Sequence, residues 1–272
     1  MKKILLFIFF TCLTSCEEVV NVNLSTAEPK LVVDATINWN KGTTGNVQTI
    51  KLTTTTGYYQ SEIPKVSGAI VFIKNSSNQV FNFTEDINSS GNSGQYKCVD
   101  FIPQLNETYT LTVSYGGQSY SATEKLLPSP VITDVEQRDD LGFNSDEIGL
   151  KINFNDFPNQ INHYLTRFDS AFHPFPEYQT IPDEFTEGKN MAALYSNEKL
   201  KKGDVINISL MGISKTFYNY MTIVLSNANP SGPFQAPPAK IRGNIVNQTD
   251  KNNYALGYFR LGEVEKLEYS VE

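Results

Sequence analysis

The sequence is poor in the residue types on which most hydrolytic and metal-dependent sites depend. It has two histidines, His163 and His173, and three cysteines among 272 residues. Neither histidine lies in an H-E-x-x-H motif or beside a nucleophile motif, and no G-x-S-x-G, C-x-x-C, Walker A or dinucleotide-binding pattern occurs. Zinc chemistry and triad chemistry therefore have little support. We predict a non-enzymatic protein with no catalytic residues, no metal and no cofactor.

Paired carboxylates are the remaining route to catalysis. Asp139-Asp140 and Asp146-Glu147 could bind calcium or take part in glycoside hydrolysis, but neither pair has the spacing of an EF-hand. A solvated loop explains all four residues more simply. A hydrolase therefore stays the least favoured function.

No apolar run is long enough to span a membrane. The run from Ile4 to Phe10 is far shorter than the roughly 20 residues that a spanning helix needs. It follows Lys2 and Lys3 and precedes small and polar residues, which is the layout of a secretory signal peptide. We predict that residues 1–15 are that signal.

The segment Leu13-Thr14-Ser15-Cys16 resembles the bacterial lipobox, in which the cysteine is lipidated and becomes the first residue of the mature chain. The resemblance implies a lipid on Cys16 and a tether over residues 16–29. Several acyl chains together hold a protein on a membrane, whereas a single chain binds only marginally. The alternative is a plain signal peptide that happens to contain a cysteine.

The mature chain lacks both a cysteine pair and a basic surface. Cys12 leaves with the signal and Cys16 carries lipid, so Cys98 has no partner, and we expect a buried structural thiol without an intramolecular disulfide. Removal of residues 1–15 changes the net charge from −7 to −9, because Lys2 and Lys3 are lost. An acidic protein of this kind is a poor ligand for nucleic acid.

From Leu31 onward the hydrophobic pattern has a period of two. Thr108–Tyr115 alternates without interruption, and Gly116-Gly117 then suits the tight turn of a hairpin. Similar runs separated by turn-rich segments predict a transthyretin- or immunoglobulin-like β-sandwich over residues 30–127.

Two prolines at 128 and 130 mark an expected linker, and alternating strands resume after it. One amphipathic helix is predicted from the spacing of Phe217, Tyr220, Met221, Val224 and Leu225. The expected architecture is all-β, with two β-sandwich-like domains in tandem. The second domain, residues 131–272, is β-rich with one packed helix.

Several segments occur in the order seen in a known family. They are the lipobox, Glu17–Val20, Glu28–Val33, Pro64–Ala69, Gly94–Tyr96, Tyr109–Val113, Ala236–Pro238 and Leu256–Phe259. Together they resemble the domain-of-unknown-function 4249 family of Bacteroidota lipoproteins. The first half is also similar to carboxypeptidase-regulatory, transthyretin-like modules.

The family resemblance implies a location and a partner, since the family has no established reaction. Such lipoproteins are often encoded beside TonB-dependent outer-membrane transporters, which implies an accessory role in nutrient or ligand capture. Glu17 and Glu18 resemble a signal for export to the cell surface, although a solvated charge pair is an equal alternative. We therefore expect an outer-membrane lipoprotein, on the cell surface in preference to the periplasmic face. A structural or adhesive surface lipoprotein is the alternative function.

A proline-stiffened aromatic segment, Ala171–Tyr178, is the candidate contact site. Exposed rings of Phe172, Phe175 and Tyr178 would suit stacking on a ligand or docking on a partner. The alternative is that these rings fold back over the second core. Tyr58 and Tyr59 have the same two interpretations.

Overall fold

The computed structural model describes residues 27–88, 91–141, 147–182, 190–228 and 241–272. Within these ranges the chain forms fifteen strands and one α-helix. The strands are β1 (Leu31–Asn40), β2 (Gln48–Thr54), β3 (Ile70–Asn75), β4 (Val80–Asn88), β5 (Gly91–Cys98), β6 (Thr108–Tyr115), β7 (Gln118–Lys125), β8 (Ile132–Arg138), β9 (Gly149–Asn155), β10 (His163–Ser170), β11 (Glu177–Pro182), β12 (Asn190–Ser196), β13 (Val205–Gly212), β14 (Val246–Asn247) and β15 (Leu256–Ser270). The helix is α1 (Lys215–Ala228). The all-β fold with one helix is confirmed.

A continuous sheet runs through both halves of the chain, in the order β11-β10-β13-β15-β1-β2-β5-β4. We call these eight strands the main sheet. From β4 the order continues through β3-β6-β7-β14, and β12-β9-β8 form a separate sheet. Gly116 and Gly117 form the β6–β7 turn with φ of 57° and 72°, a backbone conformation that glycine adopts readily.

The last strand, β15, joins the two halves. Its first part pairs in parallel with β1, from Val32 opposite Leu256 to Asn40 opposite Val264. Its second part pairs antiparallel with β13. Gly257 is required at this junction because its φ is 89° and an added Cβ would lie 2.0 Å from the carbonyl oxygen of Val33.

The two largest hydrophobic cores lie on one side of the main sheet. Phe259 and Leu261 of β15 belong to the first core, which the strands β3, β6 and β7 cover with Ile73, Leu111 and Tyr120, among others. The second core packs β9 and β12 onto Ile206 and Ile208, which pair with Tyr269 and Leu267 on the same side of β15. We call this side the inner face and the opposite side the outer face.

The segment expected to be a linker is packed between the two cores. Ser129 is 2% exposed; its amide donates to Glu263 at 3.0 Å, and its hydroxyl donates to the carbonyl oxygen of Leu210 at 2.7 Å. The ammonium of Lys41 donates to the carbonyl oxygen of Ser129 and forms an ion pair with Glu265 at 3.3 Å. Prolines 128 and 130 therefore lie beside an anchored residue, not in a free connector.

The packing departs from the expected domain division at the C-terminal end. The expected second domain is residues 131–272, yet Ile245, Ala255, Phe259 and Leu261 pack in the first core. The strand β14 also pairs with β7. The physical reason is the length of β15, whose fifteen residues serve both cores in turn. The division of the remaining chain into two domains stays a prediction.

Candidate functional site

The outer face of the main sheet carries a polar groove of about 600 Å³. Four neighbouring strands form it, and strand alternation places every second side chain on this face. The contributions are Arg167 and Asp169 from β10, Asn207, Ser209 and Met211 from β13, Val264, Lys266 and Glu268 from β15, and Asn38 and Asn40 from β1. Its volume is within the range of small-molecule sites.

The charges of the groove lining balance one another. Arg167 donates to both carboxylate oxygens of Asp169, with Nε to Oδ2 at 2.8 Å and Nη2 to Oδ1 at 2.6 Å. This fork geometry holds the guanidinium in place, and the hydrogen bond to Asp169 raises the pKa of Arg167. Lys266 and Glu268 add one charge of each sign. The groove thus offers many hydrogen-bonding groups without a net charge.

A buried arginine lies beside the groove. Arg260 is 2% exposed and donates from Nη1 and Nη2 to Oδ1 of Asn38, at 3.2 and 3.1 Å. No carboxylate within the described ranges forms an ion pair with it. Burial lowers the pKa of Arg260 to about 10, so the guanidinium stays charged at neutral pH.

This arginine fixes the orientation of the Asn38 amide. Because a guanidinium is purely a donor, the amide oxygen must face Arg260, and the amide nitrogen is left to face elsewhere. Asn38 also lines the groove, and its amide nitrogen is the hydrogen-bonding group that Arg260 leaves unused. Asn40 offers a hydrogen-bond acceptor instead. Its Oδ1 is buried and has no hydrogen-bond partner in the part of the chain that the structure describes.

Helix α1 covers the outer face next to the groove. Phe217 of the helix packs with Leu165, Met211 and Tyr258, and the Arg260 guanidinium lies 5.6 Å from the Phe217 ring centroid. Ser214 caps the helix by accepting the amide of Phe217 at 3.2 Å. The predicted helix is confirmed, although it begins and ends a few residues outside the predicted span.

A single carboxylate ties the helix to the first half of the chain. Oε1 of Glu124 in β7 accepts hydrogen bonds from four groups, of which the Tyr258 hydroxyl is the closest at 3.0 Å. The others, each at 3.4 Å, are the hydroxyls of Ser214 and Thr216 and the amide of Asn244. Burial raises the pKa of Tyr258 to about 12.

The aromatic segment is exposed at only one of its three predicted contact residues. Phe175 is 77% exposed. Phe172 packs against the second core, and Tyr178 packs with the cluster under α1, 5.9 Å from the guanidinium of Arg167. Strand β11 begins at Glu177 and lies at the edge of the sheet. A contact role for all three rings stays a prediction; Phe175 is exposed, whereas Phe172 and Tyr178 are half-buried.

The scattered candidates for chemistry are not brought together. His163 is buried beside Tyr218, whereas His173 lies 3.4 Å from Asn197 on another loop. Asp140 pairs with Arg138, and Asp146 lies outside the described residues. Among the residues with a described position, no group of three or more histidine, cysteine or acidic side chains could hold a metal.

The predicted thiol and signal residues have different outcomes. Cys98 is buried, as expected, and burial raises its pKa to about 11. The signal peptide, Cys16 and the first part of the tether lie outside the described residues. No helix in the described ranges is long and apolar enough to cross a membrane.

The sequence identifies the family of this protein over almost the full length of the chain. Residues 17–268 match the family described as Domain of unknown function (DUF4249). The chain belongs to this family. No curated protein is significantly similar in sequence to this DUF4249 protein.

Solved structures resemble this DUF4249 protein only loosely. A cytokine receptor complex is 7% identical with a TM-score of 0.28, and the alignment covers 70% of this chain and 86% of that one. A two-domain fibronectin type-III segment of chicken tenascin is 12% identical with a TM-score of 0.22, covering 68% and 90%. These values carry no functional argument.

Sequence reasoning missed the groove. Its polar side chains come from strands that are far apart in the chain, and each strand alone shows only ordinary alternation. The signal that could have been read is the run of alternate polar residues Asp34, Thr36, Asn38 and Asn40 in β1. It marks a face of β1 that is polar along the full length of this strand, but it does not say which strands lie beside β1.

Proposed function

We propose that this protein is an outer-membrane lipoprotein of Bacteroidota that binds a polar ligand and acts, without catalysis, as the accessory protein of a TonB-dependent transporter. The single observation that carries the binding role is the groove on the outer face. The lipobox-like segment and the family membership support the location and the partner.

The groove supports ligand capture because its polar groups are held before a ligand arrives. Asp169 fixes Arg167, and Arg260 fixes the amide of Asn38. Groups that are already oriented lose little conformational entropy when a ligand binds. The balanced charges favour a polar ligand of low net charge, such as one rich in hydroxyl or amide groups.

The absence of catalysis is part of the proposal. The two histidines lie on different elements, and the carboxylates of the groove are either engaged with arginine or exposed on a strand. A hydrolase would need a nucleophile or an acid and base that converge on one point. Incubation of purified protein with chromogenic glycosides and esters should release no product.

The location is tested at Cys16. Metabolic labelling with a fatty acid should mark the wild-type protein but not Cys16→Ala. Protease added to intact cells should digest the labelled protein if the cell-surface location is right, whereas protection until the outer membrane is opened would place it on the periplasmic face. Equal labelling of wild type and variant would remove the lipid anchor from the proposal.

The partner is tested by purification of a tagged copy in mild detergent. A TonB-dependent transporter should copurify, and Phe175→Ser should lower its yield because this ring is the exposed one of the aromatic segment. Ile161→Ser, at a similarly exposed apolar residue, is the matched control and should leave the yield unchanged. If the protein purifies alone after crosslinking, and uptake is normal without it, the accessory role is wrong and the adhesive role takes its place.

A further inference from the structure

One end of the first half of the chain carries an exposed group of large apolar side chains. The connection between β2 and β3 holds Tyr58, Tyr59 and Ile63, which are 86%, 75% and 63% exposed. The two tyrosine rings lie edge to face, with centroids 5.2 Å apart. Ile87, near the end of β4, is 70% exposed. Large apolar side chains that are exposed together mark surfaces that contact a protein, a ligand or a membrane.

Strand register places these side chains at the same end. β2 runs towards Thr54 and the tyrosine-bearing connection, and the antiparallel β5 runs from Gly91 towards Cys98. Lys51 pairs with Gln95, so the part of β5 that precedes Gln95 lies beside the end of β2. We call this end, defined by Tyr58, Tyr59, Ile63 and Ile87, the tether end.

The chain enters the fold at the tether end. Leu31, the first residue of β1, pairs with Thr54, and the amide of Thr55 donates to the carbonyl oxygen of Lys30 at 2.9 Å. Residues 16–30 can span at most about 50 Å when fully extended, and any less extended path draws the tether end closer to residue 16. A lipid on Cys16 therefore keeps this end of the fold within about 50 Å of the bilayer surface.

We propose that the tether end is a bilayer contact surface, with Tyr58 and Tyr59 lying in the headgroup region. Tyrosine is enriched at membrane–water interfaces because its ring is apolar and its hydroxyl remains hydrated. Isoleucine contributes apolar area beside it. The charged residues nearest in sequence, Glu62, Lys65, Glu85 and Asp86, have a net negative charge, so the contact does not depend on anionic lipid and should persist at high salt. The proposal uses the anchored state of the proposed function, but the following test does not depend on natural acylation.

The test replaces the lipid by a chemical anchor. The mature chain from residue 16, with Cys16→Ser and an N-terminal hexahistidine tag, is held on phosphatidylcholine vesicles that contain a nickel-chelating lipid. Tyr59→Cys or Ile63→Cys supplies the thiol for an environment-sensitive dye, since buried Cys98 stays unlabelled. Val99→Cys is the matched control, because Val99 is 60% exposed and follows the opposite end of β5.

Nitroxide lipids labelled near the headgroup should quench the dye at positions 59 and 63 at least about twofold more than at 99, with little change at high salt. Tyr58→Ser with Tyr59→Ser should lower the quenching at position 63 to the level at 99. Equal quenching at 63 and 99 overturns the proposal. So does quenching at 63 that survives loss of both tyrosines, since the anchor alone would then explain it. Failure of fatty-acid labelling at Cys16 would instead refute the natural anchor and leave this result intact.

Discussion

Replacement of Gly257 by alanine should be far more damaging than replacement of Gly117, although both residues have positive φ. Gly257 has φ of 89° and Gly117 has φ of 72°. An added Cβ at Gly117 meets nothing within 4 Å, whereas at Gly257 it would lie 2.0 Å from the carbonyl oxygen of Val33. The two variants therefore separate the cost of the backbone conformation from the cost of the strand contact.

The magnitudes follow from these two costs. A left-handed conformation costs a residue other than glycine about 1–2 kcal/mol, which is the whole effect expected for Gly117→Ala. Gly257→Ala must in addition move β15 away from β1 and weaken at least one ladder hydrogen bond, worth about 1 kcal/mol, together with the packing of the first core around it. We expect a total of at least about 4 kcal/mol for Gly257→Ala.

Thermal unfolding followed by circular dichroism measures both variants. For a chain of this size, 1 kcal/mol lowers the melting temperature by about 2–4 °C. Gly117→Ala should therefore lose about 5 °C, and Gly257→Ala at least about 10 °C, or it should fail to accumulate as soluble protein. Equal losses for the two variants would refute the close parallel pairing of β1 with β15, and with it the continuous main sheet that forms the groove.

Three further outcomes test individual side chains. In the Cys16→Ser variant, a thiol reagent near neutral pH should leave Cys98 unmodified in the folded protein, because burial raises the pKa of Cys98 to about 11. The same reagent should modify Cys98 in urea. Fast reaction in the folded protein would contradict the burial of Cys98. Burial also raises the pKa of Tyr109 and Tyr258 to about 12, so the folded state binds more protons between pH 10 and 12. The stability that these two tyrosines contribute is complete below pH 10 and is lost as the pH rises through about 12. An ultraviolet titration in which all tyrosines ionise together near pH 10, without unfolding, would contradict the raised pKa of these two tyrosines. Phe175→Ser should change the free energy of unfolding by less than about 0.5 kcal/mol, whereas Tyr178→Ser should cost about 1–3 kcal/mol through lost packing. The reverse order in urea titrations would contradict the packing of Tyr178 under α1.

The sequence by itself determined the elements whose signal is local. Alternation placed Tyr109, Leu111 and Val113 on one face of β6, and all three are buried. The helical spacing around Phe217 and Tyr220 identified α1, and paired glycines identified the β6–β7 turn. These features follow from periods of 2 and 3.6 residues and from φ preferences, which are properties of a short stretch of chain.

Only the tertiary structure decided which strands became neighbours. Nothing in the residues of β15 indicates that its first part pairs in parallel with β1, more than two hundred residues earlier, or that its second part pairs with β13. That pairing assembles the groove, and the packing around it decides that Tyr178 is covered while Phe175 is exposed. The reason is physical: an alternating pattern specifies which face of a strand is apolar, but many strands share that pattern. The choice among possible neighbours depends on packing between distant parts of the chain.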